Sequence, residues 1–286
     1  MAEGPRFSLV VASLGREAEL WALFDSLLQQ APVPFEVILV DQNADDRLAA
    51  VVAAFAGRMA LRRVTAPVVN SSFARNAGLV HCRGEFVGFP DDDCVYPAGV
   101  LAAVAREFDA DARLGVVTGA AAAPGGGLGS GRWHATRAAI TRGNAFTTVI
   151  CFNLFLRRDL LMRLGGFDEA LGVGAVWGAC EENDLVLRAL ASGAAGLYDP
   201  ALLVVHPDKR LTLAAAARAY RYGAGFGYVL RKHGFGLAVI GRFALRSMGG
   251  VVVGLLRGNG LAARYYWETL RGRMAGYCAS RNRART

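Results

Sequence analysis

The sequence predicts an α/β fold: a doubly wound sheet of buried strands with helices between them, followed by a mainly helical, basic C-terminal region. Three observations lead to it. Apolar runs of strand length alternate with helically spaced segments from Phe7 to Phe89. Polar and acidic residues gather where those runs stop, at Ser13, Asp41 and Asp91. Charge is divided along the chain: residues 1–208 hold 17 Lys/Arg against 23 acids, whereas residues 209–286 hold 15 against Glu268 alone.

Taken in order, FSLVVA (Phe7 to Ala12) suits a buried parallel strand. Leu20, Leu23, Phe24, Leu27 and Leu28 share one helical face within Glu17 to Gln30. FEVILV (Phe35 to Val40) is a second strand, ending at Asp41. Leu48 to Phe55 reads as a short helix, Leu61 to Val64 as a strand, Ser72 to His81 as a helix and Glu85 to Phe89 as a strand. A helix over Tyr96 to Phe108 and a strand over Gly115 to Ala123 follow. PGGGLGSG, from Pro124 to Gly131, is a glycine-rich break expected to form a mobile loop. Val149 to Leu156 predicts a strand, Arg158 to Leu164 and Asp184 to Ser192 predict helices, and Ala201 to Val205 a last strand before His206. Two regions are expected, 1–208 and 209–286.

With 286 residues the chain can bury a large core. Its longer charge-free stretches are broken by Gly, Pro, Ser and Thr, so no membrane-spanning helix is expected. The first apolar run lacks a basic segment before it and is short for a signal peptide, which predicts a cytoplasmic protein. Five scattered cysteines without metal-type spacing read as reduced and structural.

The stretch GEFVGFPDDDCVYP carries the strongest chemical signal. Ligands of open α/β sheets bind beyond the carboxyl ends of the strands. Ser13 to Arg16, Asp41 and the triplet Asp91, Asp92, Asp93 all fall at such ends. Adjacent carboxylates repel one another, and a hard divalent cation held by alternate aspartates relieves that repulsion.

Four segments, VVASLGREAELWALFDSLLQQ, FEVILVDQNADD, SSFARNAGLVHCRGEFVGFPDDD and GGFDEALGVGAVWGACEENDLVLRALASG, together resemble the family 2 glycosyltransferases. These are inverting, metal-dependent enzymes of the GT-A fold, a Rossmann-like mixed sheet flanked by helices. The resemblance covers roughly residues 6 to 208 and departs in the first loop, where Ala12-Ser13-Leu14-Gly15 replaces the common Pro-Thr-Tyr-Asn. It implies a nucleotide-sugar donor, with Asp41 accepting a hydrogen bond from the base and Arg75 near the base or the diphosphate. Asp91, with Asp92 beside it, approaches the ribose, and Asp93 ligates Mn²⁺ or Mg²⁺. His206 is either a further metal ligand or structural. Trp177 either stacks on a sugar or fills the core. Glu182 occupies the catalytic-base position, usually an aspartate, with Glu181 and Asp184 beside it, so the acting carboxylate stays open among the three. The same cluster also suits a helix N-terminus through the helix dipole.

The C-terminal region interleaves arginine with apolar and aromatic residues, as in FGLAVIGRFALRSMGGVVVGLLRG. It predicts either docking on an anionic membrane surface, which suits a lipid-linked acceptor, or a helical cap with solvated arginines. No nucleic-acid recognition motif accompanies the charge. The sequence therefore points to a glycosyltransferase building a polysaccharide or surface glycan, peripheral at the inner face of the cell membrane. Two alternatives stand beside it: a sugar nucleotidyltransferase, disfavoured because no lysine precedes Lys209, and a non-catalytic nucleotide-sugar- or carbohydrate-binding protein.

Overall fold

The computed structural model of the chain describes residues 4–129, 131–208 and 210–279. The elements run β1 (Phe7–Ser13), α1 (Ala18–Leu28), β2 (Phe35–Asp41), α2 (Ala49–Phe55), β3 (Ala60–Thr65), α3 (Ser71–Leu79), β4 (Phe86–Gly88), α4 (Val100–Ala110) and β5 (Leu114–Ala122). Then come β6 (Ala138–Ala139), α5 (Ala145–Thr148), a 3₁₀ turn (Cys151–Asn153), β7 (Leu154–Arg157), α6 (Arg158–Arg163), α7 (Glu181–Ala191) and β8 (Ala195–Val205). The chain continues as α8 (Leu213–Lys232), α9 (Leu237–Leu256) and α10 (Gly260–Ala279). These pack as two compact units, one of residues 4–69, Phe73–Phe167 and Leu185–Asp208, the other of Asn70–Ser72, Asp168–Asp184 and residues 210–279.

The first unit is built on a sheet in the order β3-β2-β1-β4-β7-β5-β8-β6. Strands β3, β2, β1 and β4 are parallel, β7 runs antiparallel between β4 and β5, and β5 pairs parallel with β8. Strands covered on both faces need continuous apolar side chains, which is why FSLVVAS and FEVILVD are buried almost throughout. Phe86 stacks on Phe108 with ring centres 4.2 Å apart and meets Phe7 at 5.3 Å. Burying a ring of this size contributes about 1.5–3 kcal/mol.

The register sets up the site. Ser13 lies opposite Asp41 in the β1–β2 pair, and Ala12 makes an isolated parallel bridge with Asp91. Three polar strand ends therefore meet along one edge of the parallel half of the sheet. A buried glutamate paired with an exposed arginine braces the opposite end: Glu36 accepts from Ser8 Oγ at 2.7 Å and from Arg83 Nη2 at 2.7 Å. Burial pushes the Glu36 carboxyl up, but Arg83 and Ser8 outweigh it and hold it below the usual range.

Several boundaries differ from the sequence expectation. Helix α4 starts at Val100, because Gly99 takes φ +84° and Tyr96 is drawn into the core with its hydroxyl donating to Phe152 O at 2.6 Å. The strand expected from Val149 shortens to β7, because Asn153 sits in the 3₁₀ turn and donates to Ala120 O and Leu202 O. Helix α7 begins at Glu181, so the acidic cluster forms its first turn. Residues 124–129 form a turn closed by Gly126 N to Ala123 O and Gly129 N to Ala121 O. Ser130 of the glycine-rich break, and Lys209, lie outside the described residues.

In the second unit, backbones of α8 and α10 touch. A Cβ at Gly272 would lie 2.0 Å from Tyr220 O, and one at Gly276 the same distance from Ala224 O. Only glycine permits that approach. Helix propensity alone favours alanine over glycine by about 1 kcal/mol. The clash wins, so Gly272→Ala is expected to lower stability by about 1–3 kcal/mol in chemical denaturation. An unchanged or raised midpoint would contradict this packing. Helix α9 is long and apolar enough to cross a membrane by length and composition. It is the one such helix among the described residues, and the reading of no spanning segment is corrected to that extent.

Candidate active site

The triplet after β4 is held by the chain's own cations. Arg16 Nη1 lies 2.6 Å from both Asp92 Oδ1 and Asp93 Oδ2, and Arg75 Nη2 donates to Asp91 Oδ1 at 3.1 Å. Arg75 is nearly buried, over the Phe167 ring at 5.5 Å. His206 Nε2 approaches Asp93 Oδ1 at 3.3 Å and Asp91 Oδ2 at 4.0 Å. Sequence reasoning sensed the repulsion among these acids but not the arginine that offsets it, because Arg16 and Asp92 are 76 residues apart.

The residues fit a divalent cation. One ligand atom each from Asp91, Asp93 and His206 lies within 4.8 Å of the others. Asp93 Oδ1 is buried and takes no hydrogen bond. His206 Nδ1 lies 2.8 Å from Pro207 O, which assigns the proton to Nδ1 and leaves the Nε2 lone pair facing the carboxylates. Its ring is held flat against Phe152, 4.5 Å away. Oxygen and imidazole donors together suit Mn²⁺. Burial works against a charged His206, but Asp93 and Asp91 outweigh it and raise its pKa. Burial likewise pushes Asp93 up, and His206 and Arg16 overcome that to bring it below the usual range. Asp92, more deeply buried, stays raised despite Arg16.

At the end of β2, Asp41 is fully buried and engaged. Its Oδ1 accepts from Asn43 N at 2.9 Å and Asn43 Nδ2 at 2.8 Å, and its Oδ2 from Arg63 Nε at 2.9 Å. Asn43 Oδ1 in turn accepts from Gly15 N at 2.7 Å, tying the first two strand-end loops together. Ser13 is buried at the foot of that loop, its hydroxyl donating to Arg16 O at 3.4 Å. Arg63 and Asn43 are site residues that the sequence reading did not single out.

Trp177, Glu181, Glu182 and Asp184 belong to the second unit. Cys180 turns the chain into α7 with φ +70°, a left-handed conformation that glycine adopts at less cost. Asp184 is completely buried and holds Lys232 Nζ at 2.7 Å and His233 Nε2 at 2.8 Å. Lys232 also reaches Asp168 at 2.7 Å. Burial opposes its charge, but the two aspartates raise its pKa above the ordinary lysine value. Glu181 is buried as well, whereas Glu182 is only half-buried. Trp177 stacks on Tyr228 with centres 4.9 Å apart and planes 15° from parallel, so one ring face is already covered.

Residues 8–165 match the family described as Glycosyl transferase family 2. The chain belongs to that family. This glycosyltransferase is 31% identical over 219 residues to the succinoglycan biosynthesis protein ExoM of Rhizobium meliloti (strain 1021), covering 73% of this chain and 69% of that one. It is 34% identical over 90 residues to the uncharacterized glycosyltransferase EpsJ of Bacillus subtilis (strain 168), covering 31% and 26% of the two chains. Among solved structures it resembles S. aureus TarS 1–349 in complex with UDP-GlcNAc, with TM-score 0.60, 17% identity, and 93% and 90% of the two chains covered. It also resembles the mannosyltransferase PcManGT from Pyrobaculum calidifontis in complex with GDP-Man and Mn²⁺, with TM-score 0.63, 17% identity, and 96% and 88% covered. At that identity the likeness establishes the fold, which is GT-A. Family 2 membership removes the sugar nucleotidyltransferase alternative.

Proposed function

We propose that this glycosyltransferase moves a sugar from a nucleoside-diphosphate donor to a hydroxyl of a glycan or lipid-linked acceptor, with inversion, in the assembly of a surface polysaccharide. The observation that carries it is the Asp91, Asp93 and His206 cluster at the strand ends, with the orphaned Asp93 Oδ1 at its centre. The 31% identity to a succinoglycan biosynthesis protein supports the polysaccharide setting. The strongly basic residues 209–286 support a place at the inner face of the cell membrane.

Asp91, Asp93 and His206 would hold Mn²⁺ or Mg²⁺, which when bound neutralises charge developing on the leaving diphosphate. Arg75, fixed against Asp91, adds a positive charge on the same side. The base is read by Asp41, Asn43 and Arg63 acting together, since the Asp41 oxygens are already shared with the other two. Glu182 takes the acceptor hydroxyl proton. That oxygen attacks the anomeric carbon from the face opposite the diphosphate, whose bonding pair leaves with it. Asp184 serves as an anchor for the motif rather than as the base, because Lys232 and His233 both engage its Oδ1 and the residue is completely buried.

The test is nucleoside-diphosphate release from a panel of nucleotide sugars with glycan and lipid-linked acceptors, with and without chelator, and NMR of the product anomer. Release that requires a divalent ion and gives the inverted anomer is expected. Donor binding without any release would instead support the silent-binder alternative.

A further inference from the structure

Helix α9 presents an aliphatic stripe that is left exposed among the described residues. At 3.6 residues per turn, Leu237, Leu245, Met248, Val252, Leu255 and Leu256 fall within about 100° of one another. They are 76%, 75%, 42%, 48%, 64% and 82% exposed. The opposite side of α9 is packed: Ile240, Ser247 and Gly254 are buried, and Gly254 abuts the Ala263 backbone of α10. Arg273 of α10 donates to Phe243 O at 2.9 Å and to Ser247 Oγ at 2.7 Å, pinning that side. Arg242 and Arg246 follow the aliphatic stripe along one edge, and both are exposed.

We propose that this face of α9 is a docking surface for an anionic lipid bilayer, with the helix lying in the plane of the interface. Aliphatic side chains facing away from the packed side, edged by cations, are what an interfacial helix needs. Spanning is disfavoured, because Arg246 stands at the middle of the helix and its other side is committed to α10. A second copy of the chain is disfavoured by charge. Residues 210–279 carry eleven basic residues against Glu268 alone, so facing copies would bring arginines together. A nucleic acid would find no stacking ring or hydrogen-bonding group in the stripe itself. Anionic headgroups answer the arginines, and acyl chains answer the leucines and valines.

The inference deepens the membrane setting of the proposed function, yet its test needs no turnover. The full chain is floated with vesicles of phosphatidylcholine alone and of phosphatidylcholine with phosphatidylglycerol. Wild type is expected to rise with the anionic vesicles and to release at high salt. Leu245→Glu with Leu255→Glu should lower partitioning at least tenfold on both vesicles. Arg242→Gln with Arg246→Gln should lower it on the anionic vesicles only, by about fivefold per residue. Each variant is first checked for an unchanged thermal shift with Mn²⁺ and nucleoside diphosphate, so lost docking is separated from lost folding or donor binding. Wild type remaining at the bottom of the gradient would overturn the proposal. So would leucine variants that float like wild type. A dimer in lipid-free solution that the Leu245→Glu pair splits would also overturn it, assigning the face to a second copy.

Discussion

Glu182→Gln is expected to lower kcat by about 10²–10⁴-fold while leaving donor binding intact. The substitution keeps the shape of the side chain and removes its ability to accept a proton. Three acidic residues crowd the first turn of α7, and their surroundings separate them. Asp184 is fully buried with Lys232 and His233 on its Oδ1, and Glu181 is buried, whereas Glu182 is only half-buried, which favours Glu182 as the proposed base. Glu181→Gln should therefore cost less kcat than Glu182→Gln. Steady-state kinetics beside a donor thermal shift distinguish the two. An active Glu182→Gln enzyme with an inactive Glu181→Gln enzyme would move the base by one residue.

Asp93→Asn carries the second large effect, a loss of about 10³-fold in kcat/KM. The asparagine can still hydrogen-bond Arg16 through its oxygen, so the loop stays closed while one anionic ligand is lost. Excess Mn²⁺ should restore part of the activity, because Asp91 and His206 persist. Loss of activity that no Mn²⁺ concentration changes would say that Asp93 works only through its ion pairs with Arg16 and His206.

Much of this was legible from the chain. The uninterrupted apolar strings of β1 and β2 announced buried parallel strands, and each ended on the polar residue that the sheet brings to one edge, Ser13 and Asp41. The sequence marked the aspartates as a candidate cation site and left His206 open between ligand and structural residue; one donor atom each of Asp91, Asp93 and His206 lies within 4.8 Å of the others, and Asp92 is not among them. What escaped were partners supplied from elsewhere in the sequence. Arg63 reaches Asp41 across 22 residues, and His233 reaches Asp184 across 49. Periodicity carries no information about such pairs, since any exposed arginine has the same local pattern. Helix α9 shows a related limit. Its spacing is that of an apolar helix, but which side is buried depends on where α10 crosses it. The acidic motif likewise put Glu182 at the base position but left the acting carboxylate open among three, because the burial of Glu181 and Asp184 has no signature in local spacing.

The central claim is that the cluster after β4 binds a divalent ion together with a diphosphate, and is more than a network of internal ion pairs. The most direct measurement is the free Mn²⁺ electron paramagnetic resonance signal during titration of wild type and Asp93→Asn, each with UDP or GDP. The account predicts that wild type with a nucleoside diphosphate quenches one equivalent of free Mn²⁺ and that the variant does not. Equal quenching by both proteins, or none by either, would contradict it.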